Sequence, residues 1–204
     1  MVRMQAAAFV AQSLADAGVT HVFGGHGGSI VPLVNAVVAH PDLEWVLMRH
    51  EGAASLAAGA MAKLVAGIDT GVEAGAGERR LFPGRLGCCI ATSGPGAVNL
   101  LTGLLDAAAD RVPVVCITGA LARSSARHSE FQDVDQARLF SGAGVLSLSV
   151  TVSDPMQLIA VMRDSVALAL TRRAVVHVAI PTDIQVQYNS RAITKMHFVL
   201  CCTL

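Results

Sequence analysis

Aromatic side chains are scarce in this 204-residue chain, at 4% with one Trp and one Tyr, and charged residues make up only 15%. Against 53% hydrophobic residues and a mean hydropathy of +0.55, so little charge excludes disorder for the bulk of the chain, which has ample apolar surface to bury. Neither sign of charge is in excess: 15 Lys and Arg balance 15 Asp and Glu, and no basic stripe is present. That excludes a nucleic-acid surface and an anionic membrane footprint, and favours a small ligand. Long apolar runs are missing as well. Val112 to Ala122 and Ala53 to Met61 fall short of the roughly 20 residues of a membrane helix, so no membrane partner is expected.

Cysteine is too sparse and wrongly spaced for a zinc site or a secreted disulfide framework: Cys88–Cys89, Cys116 and Cys201–Cys202 form two adjacent pairs and a single. Reduced core thiols are the expectation. The N-terminal segment has apolar residues at helical spacing, but Gln5, Gln12 and Asp16 break any signal-peptide core. With no clear targeting signal, a cytoplasmic or organellar-matrix location is expected.

What is present is an alternation of helical and strand patterns. Helices are predicted over 4–17, 31–39, 51–65, 97–109, 134–140 and 155–170, and strands over 20–24, 44–48, 86–92, 112–118, 145–152 and 174–180. Asp154 can cap the free N–H groups of the helix it precedes, and Pro155 fits the first turn, where its missing N–H is no loss. Continuous apolar strands such as "VPVVCI" and "AVVHVAI" imply strands covered on both faces. The expected fold is α/β, three-layer, with about six strands in a mostly parallel sheet and helices on both faces. A Gly-rich insertion over 66–85 and an atypical tail over 188–204 fall outside the pattern of a domain spanning 1–187.

In such sheets ligands sit at the carboxyl ends of strands, against helix N-termini. Three small-residue turns occupy such positions: "FGGHGGS" (23–29), "RHEG" (49–52) and "TSGPGAVN" (92–99). Glycines there allow tight turns or the close approach of a ligand to the backbone. A dinucleotide fingerprint does not fit, because Ile30 stands where a glycine is required, and no phosphate-loop motif occurs. Spacing alone leaves Glu51 two roles: a carboxylate in the first helical turn, favoured by the helix dipole, or a ligand-directed acid. His50 and Arg49 are open in the same way.

The turns occur in order with longer runs, "GVTHVFGGHGGSIVPLVNAV", "RHEGAASLAAGAMAKL", "GCCIATSGPGAVNLLTGLLDAAADRVPVVCITG", "EFQDVD" and "VVHVAIPTDIQ". By these the chain resembles, from Met4 to Gln187, the N-terminal pyrimidine-binding domain of thiamine-diphosphate enzymes, of the acetolactate synthase type within the 2-oxo-acid decarboxylase and oxidase superfamily. The resemblance implies thiamine diphosphate as cofactor and Glu51 as the activating acid, bound to N1′ of the aminopyrimidine so that the 4′-nitrogen takes the proton from thiazolium C2. Such a carboxyl group needs a cleft sheltered from water. The same resemblance makes Gly27, Gly28, Thr92, Pro95 and Asn99 cofactor-binding and puts Gln132 on the substrate side, where its own pattern also fits a loop amide making local hydrogen bonds. Phe131 is left between lining that pocket and anchoring the loop.

The implied parent chemistry is decarboxylation of a small 2-oxo acid and carboligation, in a homo-oligomer, with FAD possible in the parent family. The sequence departs from the family at His26, where proline is usual, and at Gly52, where Gln or Asn is common. No GDG…N motif occurs, so the expectation is that Mg2+ and the diphosphate are held by a missing or partner domain. The isolated chain is then expected to be inactive, or to be a non-catalytic subunit that pairs with full-length relatives.

Overall fold

A computed structural model describes residues 4–68, 86–125, 130–144 and 146–189. Most of the predicted insertion and tail lies outside these residues. In chain order the elements are β1 (Met4–Gln5), α1 (Ala6–Asp16), β2 (His21–Gly24), a 3-10 turn (Gly28–Ile30) running into α2 (Val31–Val38), β3 (Glu44–Leu47), α3 (Glu51–Ile68), β4 (Gly87–Ala91), α4 (Pro95–Ala109) and β5 (Val114–Ala120). They continue with α5 (Gln136–Gly142), β6 (Leu148–Thr151), a 3-10 turn (Pro155–Gln157) leading into α6 (Leu158–Arg172), β7 (Val175–Pro181), α7 (Thr182–Gln185) and β8 (Tyr188–Asn189).

Six strands form one parallel sheet in the order β3-β2-β4-β5-β7-β6. Side chains alternate across it. Cys88, Ile90, Val115, Ile117, Val176 and Val178 face a core shared with α1, α2 and α6, while Cys89, Ala91, Val114, Cys116 and Val175 face a second core with α3, α4 and Phe140 of α5. Helices therefore cover both faces, as the continuous apolar strands predicted. Each fully buried Leu or Ile in these layers contributes about 1.5–3 kcal/mol relative to exposure.

The local signals act as expected at the start of α6, where the Asp154 carboxylate accepts the Met156 N–H at 2.7 Å ahead of Pro155. The chain begins differently. Met4 and Gln5, expected to be helical, pair antiparallel with Asn189 and Tyr188, and the Ala6 N–H bonds to Gln187 O. Pairing across the molecule outweighs a helical propensity that has no cap to support it at Gln5. The strand predicted over 145–152 is shorter in the structure, where β6 lies at the sheet edge beside β7 among the described residues.

Strand order places the site. From β2 the chain moves outward to β3, with α2 on one face; after β4 it moves the other way to β5, with α4 on the opposite face. The order thus reverses between the neighbours β2 and β4, and the crevice beyond their carboxyl ends is where parallel α/β sheets receive ligands.

Candidate functional site

Four segments meet at that crevice. The turn after β2 carries Gly25, Gly27, Gly28 and Ser29; the turn after β3 ends in Glu51, the first residue of α3; the turn after β4 runs through Thr92, Ser93 and Gly94 into α4; and the loop before α5 carries Gln132. The "RHEG" turn is built locally. The His50 Nδ1 accepts the Gly52 N–H at 3.0 Å, capping α3, while Glu51 sits in the first turn, where the helix dipole favours a carboxylate.

Glu51 is half-buried, and its two oxygens have different surroundings. Oε2 accepts a hydrogen bond of 3.0 Å from Asn99 Nδ2, which fixes the carboxyl group across the α3–α4 contact. Oε1 faces Gly25 and Gly96 and accepts no hydrogen bond among the described residues. A Cβ on Gly96 would lie 3.2 Å from Oε1 and 2.8 Å from Thr92 Cγ2, and one on Gly25 would lie 3.9 Å from Oε1. The space in front of the oxygen exists because side chains are missing on both sides. A side chain at Gly96 would crowd the oxygen, so glycine there leaves Oε1 within reach of a ligand's hydrogen-bonding group.

The glycine turns hold this geometry by close approach. A Cβ on Gly27 would fall 2.3 Å from Thr92 Cβ, so the first turn rests directly on the end of β4. Ser29 fastens it: its Oγ bonds Thr92 Oγ1 at 2.9 Å and accepts the Ser93 N–H at 2.8 Å, and its carbonyl accepts from Gln185 Nε2 at 2.7 Å. Gly94, the residue before α4, has φ +68°, and a Cβ there would also meet Gln132 Cα at 2.6 Å. Only glycine allows both the left-handed turn and that approach.

The structure thus brings Glu51, Asn99, Thr92 and Gly27 together, and seats the Gln132 backbone on Gly94. Pro95 is half-buried at the first turn of α4. Gly28 is exposed with no atom near its Cβ direction, and Phe131 is 84% exposed, so neither is packed in the crevice. His26 is exposed beside Trp45, with ring centroids 6.4 Å apart. Sequence reasoning missed Ser29 and Gln185, which hold the first turn to β4 and β7. Bonds spanning 64 and 156 residues have no local signature.

Comparison with known proteins bears on the family of the chain rather than on single site residues. The family model described as "Thiamine pyrophosphate enzyme, N-terminal TPP binding domain" matches residues 4–139. The chain is 36% identical over 183 residues to the acetolactate synthase isozyme 2 large subunit of Escherichia coli, covering 89% of this chain and 30% of that protein. It is 31% identical to the probable acetolactate synthase large subunit of Methanocaldococcus jannaschii, covering 89% of this chain and 27% of that one. With the acetolactate synthase large subunit of Corynebacterium glutamicum the identity is 33%, over 90% of this chain and 26% of the relative. The chain spans under a third of the length of these curated relatives.

Proposed function

The chain belongs to the thiamine pyrophosphate enzymes, through their N-terminal TPP binding domain, and from that premise we propose that Glu51 is the acid that meets the cofactor's aminopyrimidine. The observation that carries the reading is Oε1 of Glu51, which accepts no hydrogen bond among the described residues and faces Gly25 and Gly96 while Asn99 holds Oε2. In this role Glu51 holds a proton at Oε1 for the ring nitrogen N1′, and Asn99 keeps the carboxyl group from rotating. The backbone of Gly25, Gly27 and Gly96, with Thr92 and Pro95 around them, lines the ring's space, Gly28 stands at its exposed rim, and Gln132 faces the reacting side.

When bound, thiamine diphosphate supplies a carbon nucleophile at thiazolium C2 and an aminopyrimidine able to take up the C2 proton. The whole protein's activity in this reading is of the acetolactate synthase type, decarboxylation of a 2-oxo acid followed by carboligation. This chain contributes the pyrimidine end. The diphosphate and Mg2+ are assigned to a second domain, from the rest of a longer chain or from a partner subunit.

A second reading is a non-catalytic subunit that assembles with full-length relatives; the exposed Leu56 and Leu64 of α3 and Val98 and Leu105 of α4 offer a surface for assembly in either reading. The experiment that tests the first reading is calorimetric titration of the chain with thiamine, in the wild type and in Glu51→Ala. Loss of that hydrogen bond, which leaves the enclosed ring nitrogen without a partner, predicts affinity weakened by about tenfold or more, with circular dichroism unchanged. Equal binding by both proteins sinks the role given to Glu51. Assembly with a full-length relative that survives Glu51→Gln while turnover is unaffected favours the second reading.

A further inference from the structure

The apolar strand β7 carries one polar side chain in its middle, His177, with no exposure. Its ring bonds at both nitrogens: Nε2 to Thr118 Oγ1 at 2.8 Å and Nδ1 to Ser149 Oγ at 2.8 Å. Thr118 in turn bonds Gln136 Oε1, and Gln136 Nε2 donates to Gly119 O at 2.8 Å. Thr118 and Gln136 are buried as well.

The direction of every bond follows from one end. Gly119 O can only accept, so the Gln136 amide presents its NH2 there and its oxygen to Thr118. Thr118 must then donate to Gln136 and accept from His177, which fixes the imidazole as the Nε2–H tautomer. His177 Nδ1 accordingly accepts from the Ser149 hydroxyl. The chain is fully satisfied, and removing one member strands a buried donor or acceptor.

Its far end is the root of the loop that bears Gln132. Gln136 opens α5, and Phe140, four residues on and on the same helix face, packs against His177 with centroids 4.0 Å apart and the rings tilted by 31°. Helix α5 is therefore docked on the Thr118–His177 pair by a hydrogen bond and a ring contact. Gln132 precedes Gln136 by four positions, a reach of at most about 14 Å, and Gln132 lies against Gly94. Gly119, which closes the chain, also rests on Ser29: a Cβ there would lie 2.2 Å from Ser29 O. One buried network thus touches the footing of two of the site's turns.

We propose that the chain from Ser149 through His177 and Thr118 to Gln136 positions the Gln132 loop against Gly94, making His177, Thr118 and Gln136 positioning residues of the site. What the loop does there rests on the thiamine reading above; its anchorage does not.

The test compares Thr118→Val, which keeps the shape and loses the hydroxyl, with Thr118→Ser, which keeps the hydroxyl. Val166→Ala, in the opposite core, serves as a control for stability loss alone. Hydrogen exchange of the Phe131 to Asp135 amides is expected to quicken by about tenfold or more in Thr118→Val, and to remain near wild type in Thr118→Ser and in the control. Thiamine affinity should fall in the same variant only. Unchanged loop exchange in Thr118→Val, or a control that loosens the loop equally, overturns the anchorage. A loosened loop with thiamine affinity intact overturns its bearing on the site. If the wild type itself binds no thiamine while the exchange pattern holds, the cofactor reading falls and the anchorage stands. Nitrogen NMR showing His177 protonated at Nδ1 would also overturn the network as drawn.

Discussion

The two faces of the sheet are packed with different materials. Against α1, α2 and α6 the filling is bulky: Phe9, Leu14, Ile30, Leu33, Ile117 and Met162 are all fully or almost fully buried. Against α3 and α4 it is richer in small residues, with Ala54, Ala58, Ala62, Ala97 and Ala107 packed on Cys89, Ala91 and Cys116 around Leu100, Leu104 and Phe140. On the first face stability comes from side-chain volume. On the second, small residues let backbones approach: a Cβ on Gly103 would point at Leu56 N and Ser55, and one on Gly59 at Ala107. This close crossing carries Asn99 to Glu51, so the site's geometry belongs to the face with the smaller residues.

If that contrast is right, the most damaging change is a side chain added where the helices touch. A Cβ on Gly103 would lie 2.3 Å from Leu56 N, and backbone cannot yield as a side chain can. Gly103→Leu should cost more than the roughly 1–3 kcal/mol of ordinary overpacking, and chemical denaturation should find the fold lost or the midpoint sharply lowered. Next comes removal of volume from the other face. Leu14→Ala should cost about 2–5 kcal/mol while thiamine binding at saturating folded protein stays as in the wild type. Gly103→Leu proving milder than Leu14→Ala would break the comparison.

The smallest effect sharpens it by pH. His177 lies on the second face, beside neutral partners: Thr118, Ser149, Phe140 and the Cys116 thiol, which burial pushes up. Burial pushes the imidazole down from its ordinary 6.5 to about 3. The unfolded chain therefore takes up a proton below 6.5 that the folded chain refuses. Stability from this group is complete above pH 6.5 and drains as pH falls towards about 3, by up to about 1.4 kcal/mol per unit. Denaturant midpoints between pH 6.5 and 4.5 should fall more steeply in the wild type than in His177→Gln; equal slopes would remove His177 from the acid response.

The alternation of strands and helices was legible because periodicity is local, and so was the Asp154–Pro155 start that leads into α6. The candidate site was legible as turns: "RHEG" and "TSGPGAVN" fall at strand ends in the structure as in the sequence. What escaped was whatever depends on a distant partner. The two-residue strands β1 and β8 exist only by pairing with each other. Ser29 and Gln185 became recognisable only once their long-range bonds were formed, and His177 was hidden inside "AVVHVAI", which reads as plain core strand. Gly94 needed its left-handed turn, which "SGPG" suggests, but also Gln132 against its Cα, which nothing in that stretch announces.

The short ladder between Met4–Gln5 and Tyr188–Asn189 has a mechanical consequence. Met4 faces Asn189 and Gln5 faces Tyr188, so tension applied at residues 4 and 189 pulls apart residues already opposite each other. In that direction an antiparallel ladder opens pair by pair, as a zip, since its hydrogen bonds run perpendicular to the strands and lie along the pull. Force entering through these two points is met first by a two-residue clasp, and reaches the six parallel strands only after the clasp has opened.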